Sequence, residues 1–123
     1  MRVMIVDDSR AIRVMIGRIM VSLGFETSEA SNGQEALDAL VKGPVPELAL
    51  VDWNMPVMDG LQFVQAARAR PAWAAMRIVM VTTETEMSQI IRALDAGANE
   101  YVMKPFTADV LREKLELLQL MGS

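Results

Sequence analysis

The chain has 123 residues, a net charge of −4, 52% hydrophobic and 23% charged residues, and neither cysteine nor histidine. That length is typical of one domain and lets a chain bury roughly two thirds of its unfolded surface. The composition excludes a disordered polymer, a disulfide or thiolate-metal scaffold and a histidine-ligated zinc site; without a basic excess there is also no electrostatic hold on nucleic acid or an anionic membrane. A chain without histidine cannot itself carry a phosphohistidine. Arg2 to Val6 run straight into Asp7-Asp8 with no signal-cleavage pattern, and no apolar run approaches the ~18–20 residues that span a bilayer. The expectation is a cytoplasmic protein.

Taken in chain order, strand-like runs and helical patterns alternate. Arg2–Val6 reads as a strand, followed by a helix from about Arg10 to Leu23. Its apolar positions Ile12, Met15, Ile16, Ile19, Met20 and Leu23 fall at helical spacing, with Arg10, Arg13 and Arg18 on a solvated side. Gly24 ends that helix. Phe25–Glu29 is the second strand. Asn32 caps the second helix, with Glu35 placed as in a capping box. Leu48–Asp52 is the third strand, and a third helix begins near Gly60 and fades before Pro71. Residues 69–76 read as a loop with no evident chemistry. Arg77–Thr82 is the fourth strand, and its helix runs from about Glu86 to Ala96 and stops at Gly97. Glu100–Met103 is the fifth strand. The last helix starts after Thr107 and turns Val110, Leu111, Leu115 and Leu118 inward, with Leu117 as a further candidate. Most of the eleven methionines fill core positions.

Continuous apolar runs such as Val3–Val6, Leu48–Val51 and Ile78–Val81 are the mark of strands buried on both faces. Strict alternation of five strands and five helices predicts an α/β fold, a doubly wound five-stranded parallel sheet with helices on both faces. Ligands of such sheets sit beyond the carboxyl ends of the strands. Those ends carry Asp7-Asp8, Asp52, Thr82-Thr83 and Lys104-Pro105. Three converging carboxylates repel one another unless a cation joins them. Oxygen ligands without histidine or cysteine favour Mg²⁺. A hydroxyl from Thr82 and an ammonium from Lys104 are donors suited to a transferring phosphoryl group, and an aspartate can serve as its acceptor.

The segments Val6-Asp7-Asp8-Ser9, Val51-Asp52-Trp53-Asn54-Met55-Pro56-Val57-Met58-Asp59-Gly60, Val81-Thr82-Thr83 and Tyr101-Val102-Met103-Lys104-Pro105-Phe106 cover nearly the whole chain in order. Together they resemble the receiver domains of bacterial two-component response regulators, most closely the stand-alone chemotaxis-type receivers. The resemblance implies a flavodoxin-like fold with strand order 2-1-3-4-5 and one receiver domain over residues 1–123. It implies Asp52 as phosphoacceptor, Asp8, Asp52 and the Asn54 backbone carbonyl as direct Mg²⁺ ligands, and Asp7 acting through a metal-bound water. Lys104 would pair with the acceptor and then with the phosphoryl group, and Thr82 would move in to hydrogen-bond it. Tyr101 would be the switch aromatic, while Asn54, Thr83 and Glu84 would modulate dephosphorylation. The donor would be a phosphohistidine on a sensor histidine kinase or histidine phosphotransfer protein. The domain would catalyse its own phosphorylation and slow dephosphorylation, without turnover of external substrates.

Each residue alone has a plainer reading. Asp7-Asp8 suits a strand-end turn and helix cap, Met-Pro-Val-Met-Asp-Gly a turn, Thr82 a strand-end hydrogen bond, and Lys104 an ordinary surface lysine. Tyr101 reads equally as a packed aromatic or as a switch. The joint occurrence at one sheet edge favours the receiver reading. As a stand-alone switch the chain would be a monomer, with dimerisation on phosphorylation as the alternative. It would signal to an output protein through helix four, strand five and helix five, with Met87, Gln89, Ile90, Tyr101 and Leu111 on that face and Leu117, Leu120 and Met121 adding apolar surface. Alternatives are the receiver half of a DNA-binding regulator, a phosphorelay intermediate or a phosphate sink. A haloacid-dehalogenase-type hydrolase would need a second aspartate where Asn54 stands.

Overall fold

The structure is a computed structural model that describes residues 1–83 and 87–121. Its elements run β1 (Arg2–Val6), α1 (Arg10–Ser22), β2 (Glu26–Ala30), α2 (Gly33–Lys42), β3 (Leu48–Asp52) and α3 (Gly60–Arg68). A 3₁₀ turn (Pro71–Trp73) precedes β4 (Arg77–Thr82), α4 (Met87–Ala96), β5 (Glu100–Met103) and α5 (Ala108–Leu117). The five strands form one parallel sheet in the order β2-β1-β3-β4-β5. The doubly wound parallel sheet expected from the alternating pattern and the flavodoxin-like strand order implied by the resemblance are both observed.

The central strands bury both faces, and their side-chain period of two divides each apolar run between two cores. Val3 and Ile5, Leu48 and Leu50, and Val79 and Val81 point toward α1 and α5, where Ile16, Met20, Leu111 and Leu115 cover them. Met4 and Val6, Ala49 and Val51, and Ile78 and Met80 point toward α2, α3 and α4, against Leu40, Phe63, Val64 and Ala93. The edge strand β2 differs: Glu26, Thr27, Ser28 and Glu29 are exposed and only Ala30 is buried.

Several local expectations are corrected. β2 spans Glu26–Ala30, one residue later than Phe25–Glu29, because Phe25 is buried in the α1/α5 core and small Ala30 pairs with Val6. The cap of α1 is Ser9, whose hydroxyl accepts from the Ile12 N–H, rather than either preceding aspartate. Asn32 caps α2 as expected, but the Glu35 carboxylate takes the N–H and hydroxyl of Ser31 instead of the cap N–H. A complete capping box opens α3, between Asp59 and Gln62. The first residue predicted for the fourth helix, Glu86, lies outside the described residues. Met15 of α1 and Val110 and Leu117 of α5 are exposed, Leu117 at 71%.

The stretch 69–76 also does more than connect. Trp73 and Met76 are buried in the α2/α3/α4 core. Arg68 holds this turn in place: its guanidinium donates to the carbonyls of Gly97 (2.9 Å) and Trp73 (3.2 Å) and to the Asn99 side chain (2.9 Å). Partial burial pushes the Arg68 pKa down, yet three acceptors hold its charge. Phe63 is a stringent test of this core because it is fully buried in it. Phe63→Ala should lower unfolding free energy by about 3–5 kcal/mol in urea denaturation.

Candidate functional site

The parallel register brings the polar strand ends to one level. Val6 pairs with Val51, Asp52 with Val81, and Thr82 with Met103. Asp7 therefore follows β1 beside Asp52 at the end of β3, and Lys104 follows β5 beside Thr82. Carboxylate oxygens of Asp7, Asp8 and Asp52 all lie within 4.8 Å of one another. Asp7 is 2% exposed, Asp52 8% and Thr82 2%, while Asp8 is exposed.

Asp7 is fixed by its neighbours. Its N–H donates to the Ala30 carbonyl (3.1 Å), and its Oδ1 accepts the Ser9 N–H (2.9 Å). Its carbonyl accepts from Arg13 Nη1 (2.7 Å), and the same guanidinium pairs with Glu29 at 2.8 Å. Arg13 was expected on a solvated face. It instead ties α1 to the ends of β1 and β2, and its spacing from Asp7 carried no signal for that. Lys104 faces both buried carboxylates, with Nζ 3.0 Å from Asp7 Oδ2 and 3.3 Å from Asp52 Oδ1. Its N–H donates to the Thr82 carbonyl at 2.8 Å, and the following bond to Pro105 is cis.

These surroundings shift two pKa values. Burial, then the nearby Asp7 charge, push the Asp52 carboxyl above its ordinary value, against the pull of Lys104. Burial opposes the charge on Lys104, but hydrogen bonding and attraction to Asp7 and Asp52 raise its pKa overall. The donor set fits a hard cation: carboxylate oxygens close together, one solvent-facing, with no nitrogen or sulfur ligand among them.

Beyond Asp52 the loop of residues 53–59 is held at both ends. The Gly60 N–H donates to the Trp53 carbonyl (2.9 Å), and a Cβ at Gly60 would collide with the Asp52 carbonyl oxygen. The Gly33 N–H donates to the Met58 carbonyl at 3.1 Å. Gly33 and Gly60 are thus positions where backbone approach forbids a side chain, which is not legible without the fold. Asn54 is exposed on this loop, and Thr83 is exposed just after Thr82. Glu84 lies outside the described residues. Tyr101 is half-buried at the edge of the α2/α3/α4 core, with Lys114 Nζ 4.9 Å from its ring centre. Of the other residues expected on the output face, Met87 is exposed, whereas Ile90 and Leu111 are buried and cannot meet a partner directly. Leu120 and Met121 pack partly against the α1/α5 core.

Residues 3–116 match the family of the response regulator receiver domain. The chain belongs to that family. It is 44% identical over 117 residues to a chemotaxis protein CheY homolog of Campylobacter jejuni, covering 94% of this chain and 90% of that protein. It is likewise 44% identical over 117 residues to the chemotaxis protein CheY of Pseudomonas aeruginosa, covering 94% of each. The solved structure of the chemotaxis protein CheY4 of Vibrio cholerae superposes with a TM-score of 0.87 at 34% identity, over 94% of this chain and 96% of that one. This receiver domain is of the CheY-like kind, a class that works in two-component phosphorelay signalling and typically binds Mg²⁺. No helix among the described residues is long and apolar enough to cross a membrane.

The direction of the Asp52 shift has a measurable consequence. A carboxyl whose folded pKa is raised favours the fold while protonated, and that contribution is lost as pH rises through the folded pKa. Charged Asp52 therefore burdens the metal-free fold at neutral pH. Asp52→Asn should raise Tm in EDTA by several degrees at pH 7, with the gain vanishing below the unfolded aspartate value near ~pH 4. For Lys104 the favoured protonated form is the charged one: its support holds below the ordinary lysine value of 10.5 and is likewise lost at higher pH. Thermal melts from pH 3 to 11 read both.

Proposed function

We propose that residues 1–123 act as one cytoplasmic receiver unit that accepts a phosphoryl group on Asp52 from a phosphohistidine of a sensor histidine kinase or histidine phosphotransfer protein. The observation that carries this reading is the Lys104 ammonium set between Asp7 and Asp52, with the Asp8 carboxylate alongside at the same sheet edge. Asp8, Asp52 and the Asn54 backbone carbonyl would hold Mg²⁺, with Asp7 acting through its coordinated water. When bound, the ion supplies positive charge against the carboxylates and the transferring group.

The chain's own groups then have distinct tasks. An Asp52 carboxylate oxygen bonds to phosphorus as the donor's P–N bond breaks, and that electron pair stays with the imidazole nitrogen. Lys104 follows the negative charge from the carboxylate onto the phosphoryl oxygens. Thr82 donates its hydroxyl to one of those oxygens. Asn54 and Glu84 orient the water that later hydrolyses the acyl phosphate, and Thr83 narrows its approach.

Output would pass through the face formed by α4, β5 and α5 to a partner protein. A groove of about 270 Å³ on that face is lined by Tyr101, Val102, Met103, Pro105, Phe106, Val110 and Lys114, so a move of Tyr101 would change its shape directly. The protein would act as a monomer, or as a dimer once phosphorylated.

The test is intact mass after incubation with acetyl phosphate and Mg²⁺, with Trp53 fluorescence followed in the same samples. The wild type should gain one labile phosphoryl group only with Mg²⁺, and Asp52→Asn should gain none. Lys104→Ala should label roughly 10²-fold more slowly, the usual loss for removing one electrostatic stabiliser. Labelling of Asp52→Asn at the wild-type rate would move the acceptor elsewhere.

A further inference from the structure

The loop between β3 and α3 contains a strained residue that none of the roles above uses. Val57 has φ 69° and is 81% exposed. A β-branched side chain in that region is a genuine outlier, and exposure leaves it little packing to compensate. Among the described residues the other non-glycine with positive φ, Gln119, follows the C-cap of α5, where a left-handed residue is commonplace. Around Val57 the chain turns sharply: the Met58 N–H donates to the Pro56 carbonyl at 2.7 Å, closing a three-residue γ-turn of the rare positive-φ form.

The contacts that hold this turn come from its neighbours. The Met58 carbonyl accepts the Gly33 N–H at 3.1 Å, and a Cβ at Gly33 would meet Met58 Cγ at 2.7 Å. The turn is thus pressed against the first residue of α2. At its other end the Gly60 N–H holds the Trp53 carbonyl at 2.9 Å. Asn54, whose backbone carbonyl is assigned above to the cation, lies between these two fixed points, three residues before Val57.

We propose that Val57 is a positioning residue that lowers the affinity of the divalent-cation site by making the closed form of this turn costly. In the absence of cation, part of the population relaxes Val57 to negative φ, which opens the Pro56–Met58 hydrogen bond and turns the Asn54 carbonyl away from the three aspartates. The cation binds the closed form, so its apparent affinity is reduced by the fraction of molecules that are open. Because the closed turn also seats Met58 against Gly33, cation binding is coupled to the docking of the α2 N-terminus. The inference rests on the proposed role of the Asn54 carbonyl as a ligand.

The test is a Mg²⁺ titration followed by Trp53 fluorescence for the wild type and for Val57→Asn, Val57→Gly and Val57→Ile, with melts of each in EDTA. Asparagine and glycine tolerate the left-handed region, so both variants should bind Mg²⁺ roughly three- to tenfold more tightly than the wild type. Val57→Ile keeps the β-branch and should match the wild type. Val57→Asn should also raise Tm without Mg²⁺, which reads the strain independently of any ion. Wild-type affinity in both Val57→Asn and Val57→Gly would overturn the inference while leaving the site reading intact. A Trp53 signal that ignores Mg²⁺ in all four proteins would overturn the site reading and the inference with it.

Discussion

Two carboxylates, Asp7 and Asp52, are buried side by side, and the Lys104 ammonium lies 3.0 Å from one and 3.3 Å from the other. Burial of like charges at this range is strongly unfavourable without a counter-charge. The rest of the site follows from meeting that constraint. Lys104 can serve only if β5 lies beside β4 in the observed register, and the hydrogen bond from its N–H to the Thr82 carbonyl holds it there. Asp7 can serve only if the end of β1 is fixed, which Ala30 of β2, Arg13 of α1 and the α1 cap Ser9 accomplish. One lysine still leaves a formal negative excess once Asp8 is counted, so the pocket favours cations, and burial beside Asp7 holds the Asp52 pKa above its ordinary value.

The fold and the carboxylate edge were largely legible in the sequence, because both arise from periodicities that chain order preserves. Buried parallel strands read as unbroken apolar runs, and the polar residues that end those runs have to meet once the strands pair in parallel. The resemblance to receiver domains rested on the same residues. What the sequence concealed depends on distance across the fold. Arg13 sits among other arginines on an amphipathic helix, and nothing in its spacing separates it from Arg10 or Arg18, yet it alone reaches the Asp7 carbonyl. Gly33 and Gly60 look like helix-start glycines until the backbone approaching each is known. Leu111 and Ile90 lie on helices near the supposed output face, but the direction of each side chain is decided by which core its helix covers. Trp73 lies in a stretch rich in alanine and arginine, with no hydrophobic period to announce that it enters the core.

The two faces of the sheet are built differently, and the difference bears on how a change at the carboxylate edge could spread. Toward α1 and α5 the sheet presents large branched residues, Val3, Ile5, Leu48, Leu50, Val79 and Val81, which interlock with Ile16, Met20, Leu111 and Leu115. Toward α2, α3 and α4 the core includes six alanines, at positions 30, 36, 49, 67, 93 and 98, with Phe63 and Trp73 filling the space between. Methionines 4, 76 and 80 and the branched Val6, Leu40, Val51, Val64 and Ile78 complete that side. Alanine and methionine offer fewer fixed contacts than branched side chains and repack at lower cost. Tyr101 borders this second core, as do Met55 and Met58 from the loop beyond Asp52. The face that meets the loop beyond Asp52 is therefore also the one richer in side chains that repack at low cost.

The exposed strand β2 has a consequence for the molecule among its own copies. A sheet that ends in an uncovered strand offers unpaired backbone groups to any other extended chain, and flat apolar edges of that kind nucleate aggregates. Here the edge carries Glu26 and Glu29 with Thr27 and Ser28 between them, all exposed. Two such edges approaching one another would bring acidic side chains together along their length. Charged side chains, Glu26 paired with Arg2 and Glu29 with Arg13, thus line the open flank on the β2 side and would have to be desolvated before another strand could add there. That cost disfavours edge-to-edge association between copies of the chain.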